Sequence, residues 1–349
     1  MPIIDKSLIQ RILVIKLRAI GDVVLSTVVL KNLRLAFPSA KIDFLTEKPS
    51  RDVLEGNPDI NGVVAFNSKE QSGLSLIMKM RNKRYDLVID LFGNPRSALV
   101  TFFSGARYRV GYKFGWREYC YTIRIDPRGG ELHNTEFNLD ALSALDIPIV
   151  SREPFFPCPD EAKQFAADFF KKEELDGKFV VALNPGGGWI TKRWRPKQFA
   201  ALGDLLRATF GAVVLIIWGP GEENLAEAIR SGMKSPSLLI PRTSLKQLAA
   251  ILQRCSLMVT NDSGPMHIAA AMGTPIVAIY GPTRPQLQGP VTKQSEIVQN
   301  KKLLCLGCNY TKCPIENPCM EELSVKVVEH SVRKLVERLK QANAVPVSA

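Results

Sequence analysis

No apolar run in this 349-residue chain approaches the roughly 20 residues that a membrane-spanning helix needs. The first residues, MPIIDKSLIQRILVIKLR, carry charges throughout, where a signal peptide has an uncharged apolar stretch. A cytoplasmic protein is expected. Aromatics make up only 8%, with no array of stacking residues, and neither a long basic run nor a nucleic-acid module is present, so nucleic acid is not an expected partner. The G-x-x-x-x-G-K-[ST] pattern of nucleoside triphosphatases is missing. So is any Asp-any-Asp triplet, the usual carboxylate clamp for a divalent cation on a nucleotide diphosphate. Any diphosphate must therefore be held by cationic side chains and helix dipoles, without a catalytic metal cofactor.

The hydrophobic fraction of 46% and charged fraction of 23% are those of a folded, water-soluble chain. Its length exceeds what one core usually supports, so two domains are expected. The net charge of +12 implies a surface that attracts anions: a phosphorylated small molecule or an anionic membrane face remain as candidates.

ILVIK (Ile12 to Lys16) reads as a buried strand, Leu17 to Gly21 as a turn, and VVLSTVVLKNLRLAF as one helix ending near Pro38. IDFLT, GVVAF and YDLVIDL continue a series of short apolar runs separated by polar or helical stretches, the pattern of a parallel sheet wound with helices. After the proline-rich EPFFPCP the pattern repeats, with five strand candidates: FVVALNPGG, AVVLIIWGP, SLLIPR, LMVTND and PIVAIYGP. The expected divisions are 1–155, 156–321 and a C-terminal helix and tail, 322–349. Two doubly wound α/β domains imply a cleft between them, with ligands at the carboxyl ends of strands. In the last helix, roughly Glu322 to Ala342, Val325, Val328, Val332, Leu335 and Leu339 form one apolar stripe, which fits docking across the domains or packing onto its own domain.

Seven cysteines are present. Cys120, Cys158 and Cys255 sit in apolar or loop contexts where a buried thiol is expected. Cys305, Cys308, Cys313 and Cys319 cluster in CLGCNYTKCPIENPC, and a structural zinc or a set of unligated thiols are the two readings this spacing leaves open.

Three loops at strand ends carry the chemistry: LRAIGD (Leu17 to Asp22), NPGGGWITKRW (Asn184 to Trp194) and NDSGPMHIAAAMGTP (Asn261 to Pro275). In the third, a strand, a Gly-containing turn and a helix starting near Pro265 make a ready phosphate site; taken alone, Asp262 or Ser263 capping the helix with His267 packed against the sheet is the preferred reading, and the company of the other two loops reverses it. In the second, Gly186, Gly187 and Gly188 let backbone approach a ligand closely, and Lys192 is a flexible charge able to neutralise a leaving diphosphate; the alternative is a surface lysine among Arg193, Arg195 and Lys197. Asp22 is suited to cap a helix or to reach an acceptor hydroxyl as a base.

Together these loops resemble glycosyltransferase family 9, the lipopolysaccharide heptosyltransferase family, at similar separations over nearly the entire chain. The resemblance implies a GT-B α/β fold of two Rossmann-like domains facing a cleft, the N-terminal one for the acceptor and the C-terminal one for the nucleotide sugar. It implies that Asp22 is the catalytic base, that Lys192 binds the donor, and that Asp262, Ser263, Gly264 and His267 meet the donor diphosphate and sugar. Family members carry hydroxyl residues near the glycines of the second loop, a place Thr191 or the backbone around Gly187 and Gly188 would fill here. A family glutamate on the nucleoside ribose corresponds loosely to Glu222 or Glu223, and Arg242 and Thr243 fall where the family lines an adenine pocket.

The reading is an inverting, metal-independent transferase moving a sugar, with heptose from ADP-heptose favoured, onto an anionic lipid-linked lipopolysaccharide core at the inner membrane surface. Arg18, Arg96, Arg107, Arg109, Lys113 and Arg117 could hold acceptor phosphates or carboxylates. Two rivals are a nucleotide-sugar epimerase, which would isomerise donor alone, and a non-catalytic carbohydrate- or membrane-surface-binding protein.

Overall fold

The computed structural model describes residues 5–129 and 132–342. The chain forms two compact units, Met1–Pro157 and Cys158–Ala349, a division two residues beyond the expected one. Among the described residues no helix is long and apolar enough to cross a membrane.

The first unit holds strands β1 (Arg11–Lys16), β2 (Lys41–Glu47), β3 (Gly62–Phe66), β4 (Leu87–Asp90), β5 (Tyr108–Tyr112) and β6 (Ile123–Ile125), all parallel, in the order β3-β2-β1-β4-β5-β6. Its helices are α1 (Ile20–Ser26), α2 (Val28–Ala36), α3 (Gly73–Asn82), α4 (Pro95–Phe103) and α5 (Asn134–Ser143). The second unit repeats the plan with β7 (Val180–Asn184), β8 (Val213–Ile216), β9 (Leu238–Leu239), β10 (Leu257–Asn261), β11 (Ile276–Ile279) and β12 (Ser295–Val298), in the order β12-β11-β10-β7-β8-β9. Its helices are α6 (Asp160–Lys172), α7 (Pro196–Phe210), α8 (Glu223–Gly232), α9 (Leu245–Arg254), α10 (Gly264–Ala271), α11 (Pro285–Gln288), α12 (Pro318–Glu321) and α13 (Val325–Gln341).

In both units the strand order reverses beside the first strand, between β1 and β4 and between β7 and β10. A crevice at the carboxyl ends of the strands opens at such a switch point. Central strands β4, β7, β10 and β11 are buried along their whole length, which is why they read as unbroken apolar runs. Strands β5, β6 and β12 escaped the sequence reading because they alternate: Arg109, Arg124 and Glu296 interrupt them.

The expected single helix after β1 is two helices broken at Thr27. The Ser26 and Thr27 hydroxyls bond back to the carbonyls of Val23 and Val24, both at 2.7 Å, and Thr27 Oγ1 also accepts from the amide of Phe155 at 2.9 Å. Such back-bonding competes with the helical ladder.

Helix α13 buries Val328, Val332, Leu335, Val336 and Leu339 in the core of its own unit, beside α7, β11 and β12. Each buried side chain contributes about 1.5–3 kcal/mol before ordering costs, so the stripe is accounted for without docking across the domains. The remainder of the expected tail, 343–349, lies outside the described residues.

Candidate functional site

The second unit's crevice is built by the loops that leave β7 and β10. Asn184, the last residue of β7, donates through Nδ2 to the Thr260 and Ser263 hydroxyls, both at 2.8 Å. Asn261, the last residue of β10, reciprocates: its Nδ2 donates to Pro185 O at 2.8 Å and its Oδ1 accepts from the Trp194 amide at 3.1 Å. Two buried asparagines therefore fix the glycine loop and the Asp262-Ser263-Gly264 turn against each other.

Across that frame Lys192 Nζ lies 2.7 Å from Asp262 Oδ2, with side chains only 15% and 5% exposed. The same oxygen accepts from Thr283 Oγ1 at 2.7 Å and Gln288 Nε2 at 3.0 Å. The ammonium also sits 4.6 Å from the centre of the Trp189 ring, a cation–π contact. Ser263 occupies the position before α10 with extended backbone, Pro265 lies in the first turn, and no side chain caps the helix. The amides at this N-terminus retain the partial positive charge that favours an anion.

Glu222 closes the other side. Its carboxylate accepts from Gly187 N at 3.3 Å and Gly219 N at 3.0 Å, with Arg193 3.9 Å away. A Cβ on Gly186 would stand 2.5 Å from both carboxylate oxygens, so any side chain there would force Glu222 to shift from its amide donors.

In the first unit the carboxyl end of β1 leads through Arg18 into α1, whose N-terminal boundary residue is Ala19; Asp22 lies in the first turn without capping it. Asp22 Oδ2 accepts from Arg18 Nε at 3.1 Å. Behind this turn, buried Lys16 donates to Leu91 O at 2.8 Å and to Asn138 Oδ1 at 3.1 Å, and Asn138 Nδ2 donates to Leu25 O of α1 at 3.3 Å. Burial pulls the Lys16 ammonium down to about 8, against the opposing charges of Asp22 and Asp90. Buried Asp90 is pushed up by desolvation, opposed by the Phe92 and Gly93 amides and the Ser97 and Tyr121 hydroxyls.

Residues 74–318 match the family described as glycosyltransferase family 9 (heptosyltransferase). The chain belongs to that family. It is 28% identical to lipopolysaccharide heptosyltransferase 3 of Escherichia coli over 75% of this chain and 81% of that protein. It is also 28% identical to lipooligosaccharide heptosyltransferase 2 of Haemophilus ducreyi, over 83% and 88%. Among solved structures, a family 9 glycosyltransferase from Veillonella parvula superposes with a TM-score of 0.83 at 25% identity, covering 94% of this chain and 97% of that one. The E. coli ADP-heptose lipopolysaccharide heptosyltransferase II shares the fold, with a TM-score of 0.77 at 23% identity, 95% and 100% covered. The two Rossmann-like units are thus the GT-B architecture.

Within this family 9 chain the structure brings together Gly187, Lys192, Glu222, Asp262, Ser263 and Gly264. His267 is buried on α10, Glu223 opens α8, and Arg242 and Thr243 precede α9 in the loop after β9. Thr191 is placed differently from a donor-facing hydroxyl: it is buried, its Oγ1 donates to Tyr310 O at 2.9 Å, and its carbonyl accepts from Asn317 Nδ2 at 3.1 Å. The expected arginines also have partners. Arg18 lies over Phe92 and Arg96 over Phe66, while Arg117 donates to the carbonyls of Phe114 and Gly93.

Among the described residues no group of three or more His, Cys, Asp or Glu side chains is placed to hold a metal ion. The reading of Cys305, Cys308, Cys313 and Cys319 as a zinc site therefore lacks a ligand set. Cys319 is buried in the second unit's core against Gly281, and its thiol is pushed up to about 11 by burial and by the neighbouring Cys308, Cys305 and Cys313 thiols, while Cys305 is exposed.

Sequence reasoning missed Thr283 and Gln288, the partners of Asp262, and the Lys16–Asn138 pair. GPT (Gly281 to Thr283) after an apolar strand, and a lysine closing the apolar run ILVIK, were the available signals.

Proposed function

We propose that this chain transfers heptose from ADP-heptose onto a lipopolysaccharide core acceptor with inversion at the anomeric carbon and without a metal ion. The observation that carries the reading is the Lys192–Asp262 pair beside the uncapped N-terminus of α10, a cation and a set of amides at one switch point. There the donor diphosphate meets Lys192 and the amides of Ser263 and Gly264, while Glu222 and the loop of Arg242 and Thr243 hold the nucleoside.

Asp22 takes the proton from the acceptor hydroxyl. That oxygen attacks the anomeric carbon as the bond to the diphosphate oxygen breaks, and ADP leaves with the electron pair, its growing charge offset by Lys192. The proton passes from Asp22 to water. Arg18, beside Asp22, and Arg96 meet anionic groups of the acceptor. A lipid-linked acceptor brings the protein to the cytoplasmic face of a membrane.

Calorimetry with ADP-, UDP- and GDP-sugars, followed by assignment of the product anomer, tests this. Tight binding of ADP-heptose and an inverted product are expected. Isomerisation of donor in the absence of acceptor would make the protein an epimerase, and absence of donor binding would leave only a binding protein.

A further inference from the structure

On the first unit, α4 and the 3₁₀ turn Gly115–Cys120 pack on each other through Ala98, Cys120 and Tyr121. Their outward faces are apolar. Leu99, Phe102 and Phe103 are exposed at three- and four-residue steps, which places them on one side of α4. Trp116 and Tyr119 are 56% and 68% exposed, and a three-residue step along a 3₁₀ turn aligns side chains. Arg109 joins the two elements, with its guanidinium 5.8 Å from the Phe102 ring centre and its Nε donating to Cys120 O at 2.9 Å. Arg124 sits 5.4 Å from the centre of Tyr119. Isolated exposed apolar side chains need no explanation, but two groups of them on a pair of packed elements mark a binding face.

The charge around it selects the occupant. Between Arg96 and Arg124 the chain carries six basic residues (Arg96, Arg107, Arg109, Lys113, Arg117 and Arg124) and one acidic residue, Glu118. A second copy would bring the same cations onto themselves across a twofold interface. Stacking of nucleic-acid bases is disfavoured because guanidinium groups already cover one face of Phe102 and of Tyr119. Aromatic side chains with a rim of arginines match the interface of a bilayer that contains anionic lipid.

We propose that Leu99, Phe102, Phe103, Trp116 and Tyr119 form a docking face that inserts into the interfacial layer of an anionic membrane. The inference rests on the lipid-linked acceptor proposed above and specifies where the protein meets the membrane. The aromatic rings enter the boundary between headgroups and acyl chains while the arginines stay at phosphate depth, a division that long basic side chains permit.

The test is flotation of the full chain with phosphatidylcholine vesicles, with and without phosphatidylglycerol, for wild type, Trp116→Ser/Tyr119→Ser and Phe102→Ser/Phe103→Ser. Unfolding temperature and ADP binding, proposed above for the second unit, monitor folding. Wild type is expected to bind only the anionic vesicles, and each double variant to lose about tenfold or more in partitioning at unchanged ADP affinity. Equal binding of wild type and both variants, equal binding to neutral vesicles, or no vesicle binding overturns the proposal. So does conversion of a dimer to a monomer by either variant at unchanged vesicle binding, which would make the face a subunit interface. Transfer to a delipidated, soluble acceptor depends on Asp22 and Lys192 and not on this face, so failure of docking and failure of the transferase reading give different results.

Discussion

Lys192 Nζ and Asp262 Oδ2 stand 2.7 Å apart with both side chains largely buried, and Thr283 and Gln288 hold the same carboxylate oxygen. Asp262 thus keeps hydrogen-bond donors of its own when Lys192 turns to an anion. Replacing Lys192 by glutamine preserves a donor and removes the charge. Lys192→Gln should lower turnover roughly ten- to a hundredfold, the size of a charge-assisted contact of about 1.5–3 kcal/mol, and weaken donor binding less. Turnover and donor dissociation constants for Lys192→Gln beside Lys197→Gln check this. Equal, small effects at both positions would remove Lys192 from the site.

Asp22 does not cap α1, so its removal should leave the helix in place. Asp22→Asn is expected to lower turnover by roughly a hundredfold or more at nearly unchanged donor affinity, as loss of a general base does. Steady-state rates together with calorimetric donor binding decide the point, and retained turnover would leave Asp22 as a partner of Arg18 alone.

Gly186 is the one place in the glycine loop where a methyl group meets a carboxylate held by two amides. Gly186→Ala should cost about 1–3 kcal/mol of stability through those bonds. Adding Glu222→Ala removes the clash, so the double variant should unfold at a higher denaturant concentration than Gly186→Ala alone. No recovery would mean that backbone conformation, and not Glu222, requires the glycine.

Lys16 is held at about 8 in the folded chain and returns to the ordinary lysine range when unfolded. The unfolded state then binds more protons between those values, so this group makes stability rise with pH from about 8 to about 10.4. Below that window the ammonium is charged in both states and its burial opposes folding. The stability of wild type relative to Lys16→Met should therefore climb across this window. A flat difference between the two unfolding curves would show that Lys16 keeps its proton.

Turnover is expected to persist in EDTA, because no acidic triplet for a cation on the diphosphate occurs in the sequence. Activity that disappears with EDTA and returns on adding magnesium would overturn this part of the mechanism.

How much could be read without coordinates differs by element. Apolar runs such as ILVIK and FVVALN announced central strands because a parallel strand covered on both faces is apolar along its length, polar residues such as Lys16, Asp90, Asn184 and Asn261 standing at its carboxyl end. The glycines, Lys192, Asp22 and the Asp262 turn were visible because each stands where a strand ends and a helix begins. Strands β5, β6 and β12, interrupted by charges, gave no such run. The break at Thr27 depended on a bond to Phe155, 128 residues away.

The sequence by itself determined the doubly wound pattern, its repetition and the loops where chemistry collects, since these follow from local periodicity and from what glycine, proline and aspartate do to a backbone. Only the tertiary structure decided which of those residues meet. It set Lys192 on Asp262 across 70 positions, turned the Thr191 hydroxyl to Tyr310, and buried Cys319 against Gly281. Such pairings are fixed by strand order and helix packing, and spacing along the chain carries no record of them.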